Sequence, residues 1–119
     1  MFVLANVSTG KIVADRLERP RSFAARSLGL IGRRTLARGQ GLWLDRCWGV
    51  HTVGVRIRLD VLFLADDLRV VGFERAVRPG RLAVVNARSA HVIEMPAGTL
   101  DAADLLVGDR MRLFEAEPL

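Results

Sequence analysis

From His51 to Phe63 the odd positions read His, Val, Val, Ile, Leu, Val, Phe, while the even positions begin Thr52, Gly54, Arg56, Arg58 and Asp60. Alternation of period two over this length predicts a strand with one buried face. After Asp60 both faces become apolar through Val61-Leu62-Phe63-Leu64, as in a strand that enters the covered middle of a sandwich or barrel. The polar face of this strand would carry Thr52, Arg56, Arg58 and Asp60 together.

Turn residues divide the rest of the chain into similar pieces. Phe2 to Val7 and Lys11 to Leu17 flank Ser8-Thr9-Gly10, a hairpin signal. Asp66-Asp67 precedes a strand over Leu68 to Val77, in which Gly72 marks a bulge or a close approach. Pro79-Gly80 introduces strands over Leu82 to Val85 and Ala90 to Met95, and Pro96-Ala97-Gly98 closes the second. Thr99 caps a helical turn, and Gly108-Asp109 leads into a last strand, Arg110 to Phe114. Ser22 is placed to cap a helix over residues 22–31, and Arg33 to Gly41 reads as a basic loop. The predicted fold is all-β and mostly antiparallel, a compact sandwich or barrel-like domain of seven to nine short strands with one N-terminal helix around residues 22–31. Leu, Val, Ile and Phe number 40 among 119 residues, enough for one core, so residues 1–119 are read as a single domain.

Cys47 is the only cysteine, so no internal disulfide holds the fold. The start has no basic segment leading a long apolar one. The longest apolar run, Val61 to Ala65, is far shorter than the roughly 20 residues of a membrane helix. A soluble, cytoplasmic protein without a membrane partner is expected.

The net charge is +5, and 17 of the 18 basic residues are Arg. Residues 1–46 hold nine basic and three acidic groups (+6), residues 47–75 four and four (0), and residues 76–119 five and six (−1). The excess therefore belongs to the first third. Arg26, Arg33, Arg34 and Arg38 form a candidate basic patch that nucleic-acid phosphates could occupy, although no helix-turn-helix or zinc-finger pattern accompanies it. Low Lys, Asn and Ile beside abundant Ala, Gly, Leu and Val is what a GC-rich genome writes.

The stretch GLIGR…GQGLWLDRCWGVHTVGVRIRLDVLFLADDLRVV…AHVIEMPAGT…VGDRMRL resembles domain-of-unknown-function family one hundred and ninety-two of bacteria and archaea. The family-like positions are Gly29, Leu30 and Arg33, then Cys47, His51, Thr52, Arg56 and Asp60, then Glu94, Pro96, Ala97 and Gly98, and finally Gly108 and Asp109. The chain departs from the pattern at Val55, where the family has Met, and at Ile57-Arg58, where it has Phe-Pro. The resemblance implies a compact, mostly β fold with a helix near the N-terminus, and implies no activity.

Among residues that could do chemistry, Cys47, His51 and Asp60 bring a thiol, an imidazole and a carboxylate into one segment. In a straight strand at ~3.3 Å per residue, His51 and Asp60 would stand roughly 30 Å apart on opposite faces. Cys47, His51 and His91, with Glu94 as a fourth group, lack the paired spacing of structural zinc sites, and no metal or cofactor is expected. GxGxxG, P-loop, GxSxG and HExxH patterns are absent. Trp43, between Leu42 and Leu44, reads as core, and Trp48 as partial cover for the loop to His51. The expected function is a binding or accessory module rather than an enzyme, for a small ligand or a protein partner. Its candidate ligand site is Cys47, His51, Thr52, Arg56, Asp60 and Glu94. The alternatives are a small thiol- or metal-dependent enzyme using Cys47 and His51, and nucleic-acid binding through the basic third.

Overall fold

The computed structural model describes residues 1–22 and 30–117. Their strands are β1 (Phe2–Asn6), β2 (Ile12–Glu18), β3 (Gln40–Asp45), β4 (Gly49–Val50), β5 (Leu59–Leu64), β6 (Val70–Val77), β7 (Val84–Val85), β8 (His91–Pro96) and β9 (Met111–Glu115), with one helix, α1 (Thr99–Ala102), before the last. Seven strands form one mixed sheet in the order β6-β5-β8-β3-β2-β1-β9, and β4 pairs with β7 in a separate two-stranded ribbon. All pairings are antiparallel except β2 with β3. The sheet is not a closed barrel. Its two edges, β6 and β9, approach only at the bridge Arg69↔Arg110, where the Val70 N–H donates to the Asp109 carbonyl at 2.9 Å. No helix among the described residues is long and apolar enough to cross a membrane.

The apolar run at Val61 occupies the strand expected of it. Every residue of β5 is buried, because the strand lies between β6 and β8 and both of its faces are covered. Leu62, Leu64, Ile93, Met95 and Trp43 belong to one apolar cluster, with Leu100 and Leu105 over them. Leu59, Val61, Phe63, Val92, Leu42 and Leu44 belong to a second on the opposite face, where Leu30, Val55 and Val84 pack. Gly41 lets the sheet close up: a Cβ there would collide with the backbone carbonyl of Glu94 and meet Leu17 Cδ2 at 2.9 Å.

Several expectations change. The alternating segment is not one strand: β4 ends at Val50, residues 51–58 form a loop, and β5 begins at Leu59. Gly54, with φ of 83°, turns the chain there, and the loop is anchored by Thr52 N–H to Arg81 carbonyl at 2.8 Å. The alternation does not report burial there: of the expected inward positions His51 and Val53 are exposed, whereas Thr52, expected to point outward, is buried. The basic loop ends at Gly39, since Gln40 already starts β3, a strand legible only as the apolar triplet Leu42-Trp43-Leu44. Gly72 does sit at an irregularity of the β5–β6 register, close against Asn86. Thr99 lies inside α1 rather than capping it, with Gly98 (φ 96°) at the cap and the Thr99 hydroxyl donating to the Pro96 carbonyl at 2.7 Å. The helix expected over residues 22–31 falls mainly on residues 23–29, outside the described residues; Ile31 itself forms a bridge with Val55.

Candidate functional site

The β4–β7 ribbon stands over the second face of the sheet. Val84 is buried beneath it, and the Asn86 side-chain amide ties it to the Val71 carbonyl at 3.3 Å. The chain reaches the ribbon through Arg46, a non-glycine residue in the left-handed region (φ 48°), and the Cys47 N–H then donates to Ala90 at 3.0 Å. Between ribbon, sheet face and Leu30-Ile31 lies a cleft of about 730 Å³.

The cleft has an apolar floor holding one polar group. Leu30, Leu44 and Val55 are buried there, and with them Glu94 of β8, which is 5% exposed. Alternation along β8 turns Val92 and Glu94 to this face and Ile93 and Met95 to the other. Glu94 has no hydrogen-bond or ion-pair partner among the described residues, and burial alone pushes its carboxyl up to about 7. The mouth is formed by exposed Arg21, Arg46, His51, Trp48, Leu82 and Val85; Trp48 is 63% and Leu82 85% exposed. No acidic side chain other than Glu94 lines the cleft among the described residues.

Three of the six residues expected in the ligand site, Cys47, His51 and Glu94, meet in this cleft. The other three do not. Thr52 is buried as a loop clamp, its hydroxyl donating to the Arg78 carbonyl (2.7 Å) and accepting from the Arg81 N–H (2.8 Å). Asp60 is 1% exposed rather than on a polar face, and it accepts three backbone N–H bonds: Ala76 on Oδ1 at 2.9 Å, Gly98 and Leu100 on Oδ2 at 3.1 and 2.9 Å. The first of these holds the bulge at which β6 shifts register against β5, with Ala76 at φ 48°. Arg56 is exposed, outside the cleft, and makes no pair with Asp60.

This dissolves the Cys47–His51–Asp60 arrangement, because the carboxylate is engaged by backbone elsewhere. The Cys47 thiol donates to the Gly49 carbonyl at 3.1 Å. No three His, Cys, Asp or Glu side chains among the described residues gather as a metal site. Trp43 is core as expected; its indole N–H donates to His91 Nδ1 at 3.1 Å and the Arg19 guanidinium lies 4.2 Å over its ring. Burial holds the His91 imidazole below its ordinary value, against the opposing pull of Asp45 and Asp66. Of the basic patch, Arg34 and Arg38 are exposed, Arg33 is half-buried, and Arg26 lies outside the described residues. Arg21, Arg46, Leu82 and Val85 were missed at the mouth, since they are far apart in sequence and unremarkable in type; only the folding of the ribbon brings them together.

Fold and cleft together define a small, mostly β protein with a pocket on one face of a mixed sheet. Residues 5–113 match the family model DUF192, described as an uncharacterised ACR, and the chain belongs to that family. A Pyrococcus furiosus protein of the UPF0127 group is 29% identical over 111 residues, which cover 91% of this chain and 95% of that protein. A Sinorhizobium meliloti crystal structure, of a protein proposed to be a transcription regulator, has a TM-score of 0.78 at 27% identity, covering 93% of this chain and 90% of that one. A Novosphingobium aromaticivorans protein of unknown function has a TM-score of 0.80 at 21% identity, covering 93% and 82%, and shares the fold. No activity is established for the family.

Proposed function

We propose that the protein is a single-domain binding module that takes an apolar-bodied small molecule into the cleft beneath the β4–β7 ribbon. Glu94 carries this reading: a buried carboxyl with no partner among the described residues, opening into about 730 Å³ of space between Leu30, Leu44 and Val55. A side chain of that kind costs stability in a merely structural position, where an aliphatic group would fill the same space. The volume lies within the roughly 300–1,000 Å³ of small-molecule sites. Two guanidiniums at the mouth, Arg21 and Arg46, favour a ligand whose outer end is anionic. In this reading ribbon and sheet are the two leaves of a small sandwich with the ligand between them, and Cys47 and His51 are wall residues rather than nucleophile and base.

Titration with anilinonaphthalene sulfonate, an aromatic body with one anionic end, tests the reading. Saturable binding with one site per chain is expected, weakened several-fold by Arg46→Ala and abolished by Leu82→Glu or Val85→Glu, both exposed positions that leave the core intact. Binding that is unsaturable, or equal in wild type and the two Glu variants, overturns it.

A second reading has one specific support. The Sinorhizobium meliloti relative is proposed to be a transcription regulator, and Arg33, Arg34 and Arg38 make no ion pair among the described residues. Nucleic-acid binding through them predicts a salt-dependent mobility shift that the triple Ala variant loses. Equal behaviour of variant and wild type removes this reading.

A further inference from the structure

We propose that Glu94 acts as a hydrogen-bond donor and that the cleft takes, at its inner end, an uncharged oxygen acceptor: the carbonyl of a ketone, ester or amide on an apolar body. This rests on the cleft reading and names the ligand chemistry of the same site. The floor around Glu94 is aliphatic, through Leu30, Leu44 and Val55, and no N–H or O–H among the described residues reaches its oxygens. The oxygens open into the cleft and meet no donor from the described residues, so the aliphatic floor favours the neutral acid, whose O–H is free for an acceptor that a ligand brings. An anionic group at this depth would be desolvated beside a carboxyl without a cation to pair with. A cationic one would have to pass Arg21 and Arg46 at the mouth. A neutral carbonyl meets neither penalty. Its desolvation is offset by the bond from the carboxyl, and its apolar body fills the rest of the floor.

Binding of such a ligand weakens as pH rises. Among the described residues, the titratable groups that line the cleft with Glu94 are Arg21 after β2, Arg46 and Cys47 after β3, and His51 after β4. With the carboxyl at about 7, nearly all clefts hold the donor at about pH 6 and about one tenth at about pH 8, so affinity for a carbonyl ligand falls roughly tenfold between them.

Two uncharged dyes provide the test, read by fluorescence on the full chain: Prodan, whose ketone is an acceptor, and phenylnaphthylamine, which has no oxygen. Prodan is expected to bind about tenfold more weakly at the higher pH, and phenylnaphthylamine no more weakly. Glu94→Gln, whose amide N–H donates at both values, keeps Prodan binding and loses its pH dependence. Glu94→Leu binds Prodan weakly at both, and His51→Asn, whatever its effect on affinity, keeps the about tenfold difference between the two pH values. The inference is overturned if Prodan binds equally at both pH values, if Glu94→Leu matches wild type at low pH, or if His51→Asn flattens the profile. In each of these cases saturable phenylnaphthylamine binding leaves the cleft reading standing, whereas failure of both dyes to saturate overturns that reading itself.

Discussion

Asp60 and Glu94 stand on neighbouring strands of one sheet, β5 and β8, where Asp60 pairs with Met95 and Val61 with Glu94. Both carboxyls are almost wholly withdrawn from water, at 1% and 5% exposure, yet they face opposite sides of the sheet and opposite fates. Asp60 receives three backbone N–H groups and joins the β6 bulge to the start of α1. Glu94 receives none from the described residues, and burial raises its proton affinity instead. A buried carboxyl with donors around it is a structural clamp. One without them is a cost that a folded core has no reason to bear, and that cost marks the cleft.

The largest test of this contrast is at Asp60. Asp60→Leu strands the Ala76, Gly98 and Leu100 N–H groups, and a loss of about 3–5 kcal/mol is expected in denaturant unfolding. Asp60→Asn, whose single oxygen can still serve the Gly98 and Leu100 pair, should lose about 1–2 kcal/mol. A change below 1 kcal/mol in the Leu variant would break the comparison.

Glu94 should make stability depend on pH. Its folded value of about 7 lies above the ordinary 4.5, so the folded state holds the extra proton between these values. Stability conferred by that proton is full below about 4.5 and is lost as pH rises through about 7, amounting to about 3 kcal/mol relative to Glu94→Gln, which lacks the titration. Parallel stability–pH curves for the two proteins would contradict the account.

His91 supplies a smaller effect of the reverse sign. Its value is lowered on folding, so stability is present above the ordinary 6.5 and declines on acidification, where protonation of Nδ1 also ends the bond from Trp43. The decline is expected to be absent in His91→Leu and to be accompanied in wild type by a change in Trp43 emission. The smallest effect belongs to the surface: Asp101→Ala removes the exposed ion pair to Arg75 and should change stability by less than about 0.5 kcal/mol.

The strands differ in how plainly the sequence shows them, for physical reasons. The Phe2 and Ile12 strands, β6, β8 and β9 announced themselves because turn residues bracket them, and β5 because continuous apolar residues must be covered on both faces. β3 was hidden, since its buried triplet follows a loop and has no alternation. Residues 51–58 misled in the other direction: their residue types alternate without a strand, and the bonds from Thr52 to Arg78 and Arg81, not the alternation, decide which side is in.

The sequence by itself determined a mostly β chain, the core position of Trp43, and a short set of polar residues that includes Glu94. Tertiary structure alone decided that Asp60 is a clamp, that Thr52 is buried, and that Arg21, Arg46, Trp48 and Leu82 share one mouth with Glu94 at its floor. Strand pattern is a local property, read from neighbours in the chain. A carboxyl's role is set by whether donors from distant segments reach it, and that is settled only when the segments have packed.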